Sequence, residues 1–148
     1  KVFETKDVLL KGASEIDMVI NIGWLKSQMY DEVKNEILAV RDAAKGVIMK
    51  VILEVHYLTD EEKRIGANIV ADTGADFVKT STGFADTGCT ESDVKLLLDE
   101  VGNRIQVKAS GGIRKLRDIL RYHELGATRF GASNAHLLID ELRKTPFY

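Results

Sequence analysis

The sequence alternates regularly between strand-like and helix-like segments, and this alternation restricts the chain to a few folds. Short apolar runs typical of strands fall near residues 16–22, 47–55, 77–81, 105–109 and 129–133. Successive runs are separated by a segment with apolar residues three or four positions apart, which is typical of an amphipathic helix. Strands that alternate with helices predict a parallel sheet covered by helices and joined by right-handed crossovers.

Helix-capping patterns support these boundaries. Thr59 and Thr90 are each followed three positions later by an acidic residue, which predicts a capping box at a helix N-terminus. The C-terminal ends of the helix-like segments carry glycines, as helix ends commonly do, at Gly12, Gly46, Gly74, Gly102 and Gly126. The chain is therefore interpreted as about five βα units in a single domain, residues 1–148.

Polar side chains recur at every second position of the strands, and this favours a barrel over an open sheet. One face carries Asp17, Val19, Asn21, Lys50, Ile52, Glu54, Lys79, Ser81, Gln106 and Lys108, and the other is apolar. A doubly wound sheet is apolar on both faces, whereas a barrel turns one face toward a shared interior. We expect an α/β fold of the (β/α)₈ TIM-barrel type, of which 148 residues supply about five units.

Two lysines occupy the strand-like runs and are the candidate reactive groups. A lysine among apolar residues is costly when charged, so Lys79 either pairs with a carboxylate or has a lowered pKa. Lys108 is expected about 5 Å away on the adjacent strand, and the repulsion between two ammonium groups favours loss of one proton. A neutral amine attacks carbonyls to form a Schiff base. Lys50 either adds a third positive charge that repels these two amines or, as we favour, pairs with Glu54 or Asp17.

Asp17 is expected on the same face as these lysines. It either balances their charge or relays protons through water during a reaction that passes through an imine. The residues alone leave both roles open.

Glycine-containing turns follow three successive strands and predict an anion site. They are Thr82-Gly83, Ser110-Gly111-Gly112 and Gly131-Ala132-Ser133-Asn134. Glycine lets backbone N–H groups approach an anion, and barrels favour phosphate in the loops after their last strands. Arg114 either helps to bind this anion or is exposed to solvent.

Composition restricts the remaining classes of function. A net charge of −2 gives no general attraction for nucleic acid, and no apolar run is long enough to span a membrane. Cys89 is the single cysteine, so a reducing cytoplasm is expected. His56, His123 and His136 lack the spacing of metal ligands, so we expect no metal. His56 follows a strand and is a candidate for the mouth of the site.

Five motifs, in this order and spacing, resemble the deoxyribose-phosphate aldolase family: EIDMVINIG, KVILE, GADFVKTSTGF, VKASGGIR and GATRFGAS. The resemblance implies a class I aldolase in which Lys79 is the Schiff-base lysine, Lys108 perturbs its pKa, and Asp17 relays protons. The substrate and its phosphate would then be bound by Thr82, Gly83, Gly111, Gly112, Gly131, Ser133, Asn134 and Lys50.

The implied reaction is the reversible cleavage of 2-deoxy-D-ribose 5-phosphate to D-glyceraldehyde 3-phosphate and acetaldehyde, without a cofactor. Two alternatives are a barrel fragment that folds or oligomerises without activity, and a related Schiff-base lyase acting on another sugar phosphate. Family members often carry serine where Asn134 stands, and some use a C-terminal tyrosine, a role that Tyr148 could take.

The resemblance also implies about three further strands ahead of residue 1, so the N-terminus is interpreted as cut. Five strands would leave two open edges, which invite pairing with another chain. We therefore expect a homo-oligomer or association with a preceding N-terminal segment.

Overall fold

A computed structural model describes residues 1–145, so the prediction for Tyr148 lies outside the described residues. The strands are β1 (Glu15–Val19), β2 (Ile48–Ile52), β3 (Phe77–Lys79), β4 (Gln106–Ser110) and β5 (Arg129–Gly131). The helices are α1 (Val2–Leu10), α2 (Ile22–Lys26), α3 (Tyr30–Ala43), α4 (Asp60–Ala71), α5 (Glu91–Val101), α6 (Leu116–Leu125) and α7 (Ala135–Lys144). A 3₁₀ turn, Val55–Tyr57, follows β2.

The five strands form one parallel sheet in the order β1-β2-β3-β4-β5. In a flat sheet, β1 and β5 would lie about 19 Å apart, four strand spacings. Instead, Arg129 of β5 reaches Glu15 of β1, with 2.5 Å between Nη1 and Oε2. The sheet therefore curls into a half-barrel, and the prediction of about five units of a TIM barrel is confirmed.

Four of the five strands are shorter than the sequence predicts, and β4 is shifted by one residue. β1 ends at Val19 rather than residue 22, because the Asn21 side chain accepts a hydrogen bond from the Trp24 backbone and caps α2, a helix that the sequence did not reveal. β2 ends at Ile52 rather than residue 55, because Glu54 adopts a left-handed conformation before the 3₁₀ turn. The predicted capping boxes at Thr59 and Thr90 are confirmed.

The hydrophobic core lies between the outer face of the sheet and the helices. The apolar strand positions, Ile16, Met18, Met49, Val51, Val78 and Val107, are all buried. They belong to one cluster with Val33, Ile37 and Val40 of α3, Val70 of α4, and Leu97 and Val101 of α5. The polar positions are thereby left on the concave inner face. Within residues 1–145, every helix is too short or too polar to cross a lipid bilayer.

A core truncation tests this packing. Leu97 has no exposed surface, whereas Leu10 is 89% exposed. Replacing Leu97→Ala should lower the free energy of unfolding by about 3 kcal/mol, since it removes buried methyl groups and leaves a cavity. Leu10→Ala is the matched control and should change it by less than about 0.5 kcal/mol. Urea unfolding measures both, and equal losses in the two variants would contradict the proposed core.

Candidate active site

The candidate site lies on the concave face, where four strands, β1 to β4, bring the predicted residues together. The sheet register places Lys79 directly beside Lys108, and Asp17 directly beside Lys50. Directly paired residues of parallel strands point to the same face. The predicted adjacency of the two candidate amines is therefore present in the structure.

One carboxylate joins these lysines. Oδ2 of Asp17 accepts hydrogen bonds from Lys79 Nζ at 2.8 Å and from Lys108 Nζ at 3.3 Å, and Oδ1 accepts one from Lys50 Nζ at 2.8 Å. Lys50 also lies 2.5 Å from Oε2 of Glu15. Of the two pairings considered for Lys50, the structure therefore shows the one with Asp17; Glu54 instead contacts Thr82.

The three lysines differ in their access to solvent. The side chain of Lys50 is 2% exposed, against 12% for Lys79 and 15% for Lys108. Lys50 is thus held in the sheet interior by two carboxylates. Lys79 and Lys108 stay within reach of a small molecule.

The site lowers the pKa of two groups, Asp17 and Lys108, for different reasons. Burial on its own would raise the pKa of Asp17, but the hydrogen bonds from Lys50 and Lys79 and the charge of Lys108 hold it well below its ordinary value. Burial lowers the pKa of Lys108; Asp17 opposes this, and the charges of Lys79 and Lys50 lower it further. The site therefore contains a permanent carboxylate beside an amine that gives up its proton more readily than usual.

A cavity of about 450 Å³ opens beside Lys79 at the C-terminal ends of the strands. Its walls contain Lys79 and six residues predicted to bind substrate or phosphate: Thr82, Gly83, Gly111, Gly112, Gly131 and Ser133. Arg114 and Phe84 also line the cavity. Asn134 does not line it and instead precedes α7, donating from Nδ2 to the Arg114 carbonyl at 3.1 Å. Lys50 lies away from it, in the charge network.

The backbone around this cavity is shaped for an anion. Gly83, Gly111 and Gly112 have φ values of 97°, 90° and 74°, which glycine adopts without strain. Within residues 1–145, none of their backbone N–H groups donates a hydrogen bond. Free N–H groups gathered in such turns bind phosphate and carboxylate groups.

A larger cavity of about 970 Å³ lies at the opposite end of the strands. It is lined by Asp76, Gln106 and Arg129 among others, and contains none of the predicted site residues. Barrel enzymes carry their chemistry at the C-terminal ends of the strands. The smaller cavity, which contains Lys79, is therefore the candidate active site.

Two residues that shape the site were missed at the sequence level. A Cβ atom on Gly88 would overlap the carbonyl of Gly111, so only glycine lets the loop before α5 pack on this turn. Glu54, predicted as a polar strand position and a possible partner of Lys50, has φ 56° and contacts Thr82. A left-handed non-glycine residue costs about 1 kcal/mol or more. The sequence gives no signal for either contact, because both join loops from different strands.

Two other residues, His56 and Cys89, connect the loops around the site through hydrogen bonds. His56 Nδ1 lies 2.6 Å from Thr87 Oγ1, which joins the turn after β2 to the loop after β3. Cys89 is buried and its backbone N–H donates to the Gly111 carbonyl at 3.2 Å. Burial raises the pKa of its thiol, which keeps the sulfur protonated. No group of three or more His, Cys, Asp or Glu side chains suited to a metal ion occurs among the described residues.

Comparison with known proteins agrees with this geometry. Residues 1–134 match the family described as DeoC/LacD family aldolase. The chain belongs to the DeoC/LacD aldolase family. Deoxyribose-phosphate aldolase of Staphylococcus saprophyticus is 51% identical over 148 residues, which are the whole of this chain and 67% of that protein. That of Streptococcus sanguinis is 55% identical over 133 residues, covering 90% of this chain and 60% of that protein.

The fold of this DeoC/LacD family chain also matches solved structures. The structure of a tetrameric deoxyribose phosphate aldolase from Aeropyrum pernix superposes with a TM-score of 0.82 and 30% identity. The superposition covers 97% of this chain and 61% of that one. This chain therefore spans about two thirds of the length of its relatives, and the resemblance inferred from its motifs is confirmed at the level of the family.

Removing the shared carboxylate tests the charge network. Asp17→Asn leaves three lysines without their common partner, and should lower the free energy of unfolding by about 2 kcal/mol at neutral pH. Because folding lowers the pKa of Asp17, its stabilisation is complete above the ordinary aspartate pKa of about 4 and is lost as the pH falls below it. The deficit of the variant should therefore shrink on acidification.

Urea unfolding at a series of pH values measures this deficit. Asp99→Asn, at an exposed helix position, is the control and should show a small effect at all pH values. A deficit for Asp17→Asn that stays constant well below pH 4 would contradict the network.

Proposed function

We propose that this chain carries the active site of a class I aldolase that reversibly cleaves 2-deoxy-D-ribose 5-phosphate to D-glyceraldehyde 3-phosphate and acetaldehyde. The observation that carries the proposal is the pair of amines on adjacent strands, joined by one carboxylate, beside a cavity with free backbone N–H groups. Such a site provides a nucleophile, a proton carrier and an anion-binding wall within one cavity.

Lys79 is the proposed nucleophile, because it lines the cavity and Lys108 does not. Its neutral amine attacks the aldehyde carbon of the substrate, and loss of water gives an iminium ion. The bond between C2 and C3 then breaks as the C3 hydroxyl gives up its proton, through water, to the carboxylate of Asp17. The electron pair moves to the iminium and leaves an enamine on Lys79, and the glyceraldehyde phosphate departs.

Protonation of the enamine and hydrolysis then release acetaldehyde and restore Lys79. Asp17 contacts the amine of Lys79 directly, so it is the proposed relay for these protons. Lys108 contacts the same carboxylate oxygen, so its proposed role is to favour the neutral amine of Lys79 through repulsion between the two ammonium groups. The burial of Lys50 supports a role in orienting Asp17 rather than in binding phosphate.

The phosphate is proposed to bind the N–H groups of Gly83, Gly111 and Gly112. Ser133 lies just before α7, a helix of ten residues, and helix N-termini favour anions. Arg114, which also lines the cavity, adds a positive charge. No step of this scheme requires a metal or a cofactor.

Chemical trapping tests the assignment. Incubation with acetaldehyde and borohydride should fix an ethyl group on Lys79, which peptide mass spectrometry would locate. Lys79→Leu should abolish labelling, and Lys95→Leu, an exposed lysine of α5, should not. Labelling of Lys108 instead would contradict the assignment of the nucleophile. A folded chain without any adduct would contradict the proposed activity and favour a catalytically incomplete barrel.

Association is proposed as the second property of the chain. Within the described residues, β1 and β5 each pair on one side only, and open edges recruit other strands. An apolar groove of about 410 Å³ runs between α6 and α7, next to β5. We propose that a second copy, or a segment preceding residue 1, covers these surfaces. The free thiol of Cys89 suits the reducing cytoplasm, the proposed location.

Sedimentation equilibrium over a range of concentrations tests this association. We expect a mass at least twice that of one chain, falling on dilution, because the open edges gain hydrogen bonds only by pairing. A chain that remains monomeric at every concentration and unfolds cooperatively would contradict it.

A further inference from the structure

The turn after β2 contains a carboxylate that the reaction scheme does not use. Glu54 is 5% exposed and is one of two non-glycine residues with positive φ among those described. Within residues 1–145, no lysine, arginine or histidine nitrogen lies within 4.0 Å of its carboxylate. A buried carboxylate without a cation requires other donors to offset its desolvation.

Those donors come from a single residue across the site. The backbone N–H of Thr82 lies 3.3 Å from Oε1 and 3.2 Å from Oε2 of Glu54, and the Thr82 hydroxyl donates to Oε2. The same hydroxyl oxygen accepts a hydrogen bond from the Phe84 backbone at 3.1 Å. The residues before and after Gly83, Thr82 and Phe84, are thereby both restrained by hydrogen bonds.

This arrangement restrains the backbone on both sides of Gly83. Since the hydroxyl and N–H of Thr82 are engaged by Glu54, Thr82 has no donor left for a ligand. Gly83 is the next residue, lines the cavity with Lys79, and keeps its own N–H free. The charged carboxylate binds both donors of Thr82 more strongly than the neutral amide of glutamine would, and an amide would replace one of the two acceptor oxygens by an NH₂ group.

We propose that Glu54 is a positioning residue that holds Thr82 and thereby directs the Gly83 N–H toward the anion of the ligand. Thr82 is then part of the support of the anion site and not one of its ligands. The inference deepens the proposed function, on which it rests for the nature of the substrate. It makes the interaction between the loops after β2 and β3 a determinant of phosphate affinity.

Glu54→Gln in the full chain tests the proposal, with the exposed Glu61→Gln as its matched control. Titration with inorganic phosphate should show a Kd raised about tenfold in Glu54→Gln and unchanged in Glu61→Gln, the size expected for losing a hydrogen bond to a charged group. Borohydride trapping of acetaldehyde, which carries no phosphate, should keep its rate within about twofold. Thr82→Val should raise the Kd similarly, and the double variant no further, because both act through one contact.

Hydrogen exchange of the peptide covering Thr82 to Phe84 gives a readout that is independent of activity. Exchange should be faster in Glu54→Gln than in Glu61→Gln. An unchanged phosphate Kd with unchanged exchange would overturn the proposal, as would a fall in trapping as large as the fall in phosphate affinity. If the unmodified chain formed no acetaldehyde adduct, the proposed function would fail, while the exchange and phosphate measurements would still decide the role of Glu54.

Discussion

The shared carboxylate of Asp17 is the interaction on which the candidate site depends. Three lysines on three strands would repel one another across the concave face without it. Each oxygen of Asp17 accepts a hydrogen bond from at least one ammonium group, so one side chain contacts all three amines. The same contacts bring the amines close enough for one to weaken the hold of the other on its proton. Stability and reactivity therefore come from one arrangement of charges.

The fold places this arrangement beside an anion-binding wall because parallel strands end at a common edge. Lys79 and Lys108 lie within or near the ends of β3 and β4, and the glycine turns follow directly. Catalytic amines and backbone N–H groups thus meet without any long connection. The half-barrel described here contains each of these parts.

The sequence allowed the strand order, the outward apolar face and the adjacency of the lysines to be predicted. These features follow from local periodicity and from the regular register of parallel strands. It also allowed most of the cavity wall to be predicted, because the glycines follow strands directly. Contacts between loops could not be predicted in this way. Glu54 with Thr82, and Gly88 against Gly111, join residues far apart in sequence whose approach depends on the curl of the sheet.

The strand ends were overestimated for a related reason. Apolar composition continues past Val19 and Ile52, but side-chain capping at Asn21 and the left-handed Glu54 stop the strands. Such events depend on single residues and leave no periodic signal. α2 was missed for the same cause, since its five residues are too few to show a helical period.

The contact between Arg129 and Glu15 has a consequence for the shape of the molecule. It connects the first and last strands by charge, with about a third of each side chain exposed, and not by a ladder of backbone hydrogen bonds. Dissolved ions screen such a pair, whereas they leave the neighbouring strand pairings largely untouched. Added salt should therefore weaken this contact across the concave face while the order of the strands stays the same.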